Sequence, residues 1–299
     1  MRNDVVSMIY AAMNVRKAEK IALYERRAKR LSMFLLIMFM FSSATISSFA
    51  CTVFNKKQGK TVLAGNNEDW MYSAPASLWF AAAEDEKSYG RMCFGLYSYV
   101  QGGMNEKGLF FDMATCPESK VPYFEGKPQL DMDFCEVILS KCATVTDVVK
   151  MVRKYNIPDN FHDHVIFADR LGNSMVMEWV EDELRFIPKK GNYQLITNFW
   201  LSNPDLGGYP CNRFSKAKSM LEAKKDISVS YFADILKATR QDWGNGGTIY
   251  SNVYDLSKGE AYIYYQGDFN KNIKYNLKKE LKKLQKGDKS TYMLEELFK

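Results

Sequence analysis

Ser48-Phe49-Ala50-Cys51-Thr52 is the stretch on which the reading of this chain turns. Upstream, Arg26, Arg27, Lys29 and Arg30 precede a nine-residue apolar run at 33–41, and small polar residues lead on to Ser48-x-Ala50. A basic segment, a short apolar core and small residues at the third and first positions before a cut are the layout of a cleavable export signal. The run is too short to cross a bilayer, which takes roughly 20 residues. Cleavage after Ala50 would leave Cys51 as residue one of the mature chain. A thiol beside a free α-amino group is nucleophile and base in one residue, because that amine titrates near pH ~7.7–8.0 and can take the thiol proton. The rival is a lipid-anchored cysteine. Ser48 and Phe49 are not the leucine and small residue that usually precede one, and acylation of the amine would remove the base.

The expected organisation is therefore a basic arm and cleavable signal at 1–50, followed by one domain at 51–299. The 46% hydrophobic and 14% aromatic content is enough for a substantial core. Of the formal charge of +6, the leader alone carries +5, so the mature chain stands near +1. A chain that close to neutral lacks the clustered basic surface that nucleic acid requires. The expected location is outside the cytoplasm, periplasmic or secreted, with no stable membrane span once the signal is gone.

Six cysteines stand at 51, 93, 116, 135, 142 and 211 without a CxxC pair or a zinc-finger spacing. Their irregular spacing predicts mostly buried free thiols, with at most one or two disulfides. The two histidines, His162 and His164, would share a face of one strand, yet no third ligand accompanies them, so no metal is expected. They are also the only candidates for a papain-like Cys/His pair.

Along the mature chain the pattern opens strand, turn, strand, with the turn at 56–60. The polar cluster Gly65-Asn66-Asn67-Glu68-Asp69-Trp70 follows and would be carried back beside Cys51; alone it reads equally well as an ordinary turn. Strands are predicted at 78–82 and 92–97, and a tight turn at 102–109 that feeds a strand at 109–113. Apolar periodicity predicts a helix carrying Leu130, Phe134 and Ile138, and a second carrying Val145, Val148 and Val152, with Thr144 or Thr146 as its cap. Strands at 164–168, 174–179, 183–187 and 194–197 come next. Helices follow at 212–224 and 230–239, the latter capped by Ser228 or Ser230, and then a closing hairpin at 248–265. The Lys-rich final thirty residues read as a peripheral helix and a frayed tail. Blocks of strands with paired helices between them predict an α+β layered domain.

Taken in order, Cys51-Thr52, Gly65-Asn66-Asn67-Glu68-Asp69-Trp70, Gly103-Met104-Asn105-Glu106-Lys107-Gly108-Leu109, Leu195-Ile196-Thr197-Asn198, Cys211-Asn212-Arg213-Phe214 and the closing hairpin resemble one family. It is the choloylglycine hydrolase and penicillin V acylase group of N-terminal-nucleophile enzymes, including acyl-CoA:6-aminopenicillanate acyltransferase-like proteins. The resemblance implies a four-layer αββα sandwich with the nucleophile opening a central strand. It also implies hydrolysis of a linear amide C–N bond in a small N-acyl substrate, through a thioester and without a cofactor.

Position by position, the resemblance makes Cys51 the nucleophile and Asp69 the acceptor that holds its amine. Asn198 would supply half of the oxyanion hole through its side-chain NH2, and Thr115 the other half through its backbone N–H. Such donors are worth roughly 2.7–4 kcal/mol each in other enzymes. Arg213 would be the positive charge that favours thiolate. Two departures stand out. Asn66 occupies a position where the family commonly has arginine, and only 14 residues separate Asn198 from Arg213, where bile-salt and penicillin V enzymes carry a longer insertion used in tetramer assembly. That argues against a tetramer and a bile-salt substrate, and leaves a homo-oligomer open. Signal peptidase is the expected maturation partner. An acyltransferase using the same acyl-enzyme and an inactive lipid-anchored surface protein remain the alternatives.

Overall fold

The computed structural model describes residues 51–223 and 227–299; the expected leader at 1–50 lies outside the described residues. The first hairpin forms where predicted but runs longer, as β1 (Thr52–Gln58) and β2 (Thr61–Met71), turned at Gly59 with φ +56°. Then come β3 (Ala76–Ala81), β4 (Arg91–Leu96), β5 (Tyr99–Asn105) and β6 (Phe110–Thr115). A helical pair follows, α1 (Phe134–Lys141) and α2 (Val145–Val152). Next are β7 (Asp163–Ala168), β8 (Ser174–Val180), β9 (Glu183–Pro188) and β10 (Tyr193–Ile196). A second helical pair is α3 (Asn212–Ala223) and α4 (Val229–Thr239). The chain closes with β11 (Gly246–Asp255), β12 (Glu260–Tyr265), β13 (Asp268–Asn276), α5 (Leu277–Leu281), β14 (Lys289–Met293) and α6 (Leu294–Leu297).

Among the described residues the strands form two antiparallel sheets. One is ordered β10-β1-β2-β11-β12-β13 and the other β14-β3-β4-β5-β6-β7-β8-β9. Alternation along each strand sends side chains to opposite faces, and three apolar layers result. Val53, Val62, Ala64, Phe94, Phe110, Tyr250 and Tyr254 fill the space between the sheets. Phe54, Leu63 and Val253, on the other face of the first sheet, meet Leu221, Phe232, Ile235 and Leu236 of α3 and α4. Trp79, Phe111 and Phe167 of the second sheet meet Phe134, Ile138, Val145 and Val148 of α1 and α2. Complete burial of one such side chain contributes roughly 1.5–3 kcal/mol. The expected αββα sandwich is the observed one.

The starts of α2 and α4 follow their caps. The Thr144 hydroxyl accepts from the Asp147 N–H while Asp147 reaches back to the Thr144 N–H, and Ser228 accepts from the Tyr231 N–H to open α4. The polar cluster at 65–70 is carried back beside Cys51 as expected, as the second half of β2, and the alternative of an ordinary turn fails because distant partners satisfy its side chains: Asn67 donates to the Leu236 carbonyl at 2.9 Å. Elsewhere the predictions need correction. Gly102 and Gly103 lie within β5, where a Cβ on Gly103 would sit 2.4 Å from the Met92 carbonyl oxygen. The tail is not frayed either. It supplies β13 and β14 as outermost strands of the two sheets, anchored by buried Leu277 and Leu294.

Candidate active site

Backbone register assembles the site before any side chain does. β1 lies between β10 and β2, with Thr52 opposite Asn67 and Val53 opposite both Asn66 and Ile196. Cys51, one step before the strand, therefore faces Glu68 across β2, and Asn198, just past β10, arrives at the same end of the sheet. The Cys51 thiol is buried in the layer between the sheets and donates to Glu68 Oε1 at 3.5 Å. Burial pushes its pKa well up, and the carboxylates of Glu68 and Asp69 push it further, while the Asp69 backbone N–H, which bonds the sulfur, opposes them.

Asp69 is fully buried near the end of β2. Its Oδ1 accepts from Thr248 Oγ1 on β11, and its Oδ2 has no hydrogen-bond partner among the described residues. Desolvation raises this carboxyl from 3.8 to about 7, against the Thr248 hydrogen bond and the Arg213 charge.

Arg213, at the start of α3, holds three acceptors with its guanidinium. Nη1 donates to the Cys51 carbonyl and to Thr52 Oγ1 (3.0 Å), and Nη2 donates to Asn198 Oδ1 (3.0 Å). The last bond fixes which way round the Asn198 amide sits, and Asn198 Nδ2 then donates to the Thr115 carbonyl at 2.8 Å. Thr115, the final residue of β6, donates its hydroxyl to Asp163 Oδ1 at 2.6 Å. The five residues singled out in the sequence thus form one continuous chain of contacts, Asp69 to Cys51 to Arg213 to Asn198 to Thr115. Thr115 enters it through its carbonyl; the role expected of it is its N–H.

His164 is a brace and not a partner of the thiol. Its Nδ1 lies 3.1 Å from Glu178 Oε1 and its Nε2 2.7 Å from the Thr197 carbonyl. Glu178 also accepts the Leu201 and Ser202 N–H groups, which pins the segment carrying Asn198. All six cysteines are free thiols. Asn66 is buried between Val53 and Asn252, with its Oδ1 unpartnered among the described residues. Beside the site a cavity of about 280 Å3 is lined by Trp70, Leu96, Met113, Thr115, Phe161 and Asp163, with Tyr97 and Tyr99 at its exposed rim. Sequence reading missed Glu68, Tyr250 and Thr248. Treating 65–70 as strand would have set Glu68 opposite Cys51, since strand register pairs positions one for one.

A thiol opening an interior strand of a two-sheet αββα sandwich is the architecture of the N-terminal-nucleophile hydrolases, and solved structures of that class match this fold. Penicillin V acylase from Agrobacterium tumefaciens is 18% identical, covers 72% of this chain and 83% of its own, and superimposes with a TM-score of 0.61. A variant of conjugated bile acid hydrolase from Clostridium perfringens is 20% identical, covers 81% of this chain and 97% of its own, and gives 0.63. No functionally curated protein matches the chain. The profile of the acyl-coenzyme A:6-aminopenicillanic acid acyl-transferase family matches residues 54–270, and the chain belongs to that family.

Proposed function

We propose that this protein is an exported cysteine amidohydrolase that cleaves the amide bond of a small N-acyl substrate, with Cys51 as its N-terminal nucleophile once signal peptidase has removed residues 1–50. The observation that carries the reading is the placement of Cys51. Its sulfur takes an N–H from Asp69 and its carbonyl is gripped by Arg213. A carboxylate oxygen of Asp69, on the same few residues, stands unpartnered among the described residues. That oxygen is the acceptor for the amine which cleavage would create. In this reading the amine takes the thiol proton, and the thiolate attacks the acyl carbonyl. Asn198 Nδ2 and the Thr115 N–H stabilise the oxyanion. The leaving amine departs with the proton, and water, deprotonated by the same α-amine, hydrolyses the thioester. The apolar walls of the cavity beside Thr115 suit an apolar acyl group, whose burial drives binding.

A second reading keeps the same acyl-enzyme but gives it to an amine in place of water. The description of the matching family, an acyl-transferase, favours it. The test is a chain beginning at Cys51, offered a panel of acyl amides with and without acceptor amines, with products read by mass spectrometry. A chain with one extra residue ahead of Cys51 should fold and fail to turn over. Full activity of the extended chain would overturn the N-terminal mechanism.

A further inference from the structure

Glu68 has no part in the steps above, yet it touches the sulfur. On β11 it stands directly opposite Tyr250, and on the other side it faces Cys51, so the three form a row across adjacent strands on the inner face of one sheet. Glu68 is 2% exposed; its Oε1 lies 3.5 Å from Cys51 Sγ and its Oε2 lies 3.4 Å from the Tyr250 hydroxyl. The groups that bear on it electrostatically are Asp69 on its own strand, Asp163 on β7, Asp112 on β6 in the opposite sheet, and Tyr250 and Tyr254 on β11. Asp112 is itself fully buried, with Oδ2 unpartnered among the described residues. A carboxyl group in an apolar layer that faces other carboxyls keeps its proton.

Building on the reading of Cys51 as nucleophile, we propose that Glu68 is a further catalytic residue, a neutral carboxylic acid whose O–H becomes the hydrogen-bond donor to the Cys51 thiolate. In the resting state the thiol donates to Glu68. When the α-amine has taken the thiol proton, the bond reverses and Glu68 donates to sulfur while keeping its own proton, so no proton is gained or lost at Glu68. The donor does the work that a fixed positive charge would do, beside a strand where Asn66 brings none. Burial and the Asp69 charge push the Glu68 carboxyl up to about 8. Above that pH it becomes an anion 3.5 Å from the sulfur and opposes the thiolate.

The experiment uses the mature chain beginning at Cys51, with Glu68→Gln and Glu68→Met variants, Cys51→Ala as the blank, and melting temperatures to confirm folding. Two readouts are taken from pH 5 to 10: iodoacetamide alkylation mapped to Cys51 by peptide mass, and turnover of whichever acyl amide is cleaved. Glu68→Met should slow alkylation at pH 7 by roughly tenfold or more, the cost of losing a hydrogen bond to a charged group. Glu68→Gln should lose less, since its amide still donates, and should remove the decline in turnover above pH 8. Equal alkylation of the wild type and Glu68→Met at pH 7, or an unchanged alkaline decline in Glu68→Gln, would overturn the proposal. Alkylation that tracks Glu68 in a chain that cleaves no amide would uphold the thiolate role and sink only the amidohydrolase reading.

Discussion

At the scale of single residues, Asn198 is the sharpest test of the proposed chemistry. Arg213 fixes its amide from one side, and the Thr115 carbonyl holds it from the other. An amide so placed is preorganised, and preorganised donors act mainly on developing charge. Asn198→Ala should lower kcat by roughly 10²-fold to 10³-fold, with KM little changed; a variant that keeps kcat and raises KM would make Asn198 a substrate-positioning residue. Glu68 carries a second prediction, on stability. Its carboxyl titrates near 8 in the folded chain against an ordinary 4.5, so the folded state binds this proton more tightly than the unfolded state does. The stability it contributes is therefore complete at acid pH and is lost as pH climbs from about 4 to 8. Glu68→Gln, which cannot ionise, should raise the melting temperature at pH 8 and leave it nearly unchanged at pH 4. A parallel shift at both pH values would mean that packing, not ionisation, sets the effect.

At the scale of elements, β14 and α2 separate what holds the sandwich from what decorates it. β14 pairs with β3 along its length, from Lys289 opposite Ala81 to Met293 opposite Ser77. It covers a strand whose Leu78, Trp79 and Phe80 are buried. Removing 289–299 would leave β3 as an open apolar edge, and such edges recruit other chains. The truncated protein should melt lower and aggregate on warming, followed by light scattering; unchanged melting would return the tail to the status of decoration. Thr144→Ala deletes one half of the capping box of α2 and should cost about 1 kcal/mol, or roughly 2–4 °C in a domain of this size, without altering turnover. Both elements also show what a sequence reveals. The α2 cap was legible because its partner is three residues away. β14 was not, because Lys289 and Thr291, which mark it as peripheral, face solvent, and its pairing partner lies some two hundred residues earlier.

At the scale of the whole molecule, the proposed maturation should change how stability responds to pH. With a peptide bond ahead of Cys51, Asp69 titrates near 7 against an ordinary 3.8, so folding loses stability as pH rises through that interval. A free α-ammonium beside Asp69 would pull its carboxyl back down. The chain beginning at Cys51 should then melt above the one-residue extension at pH 8, with the gap closing toward pH 4. An equal gap at both ends would show that Asp69 does not hold the amine. The sandwich and its family were readable because motifs in fixed order mark the ends of its core strands. The neighbours of the sulfur were harder, since Tyr250 lies 182 residues from Glu68 and only register brings them together. One practical consequence follows from β1 being an interior strand whose first neighbour, Cys51, is 6% exposed. In the proposed mechanism, any affinity handle, reporter or surface linkage fused directly ahead of Cys51 would take the place of the reactive amine. Such attachments belong at Lys299, an exposed residue outside the proposed site.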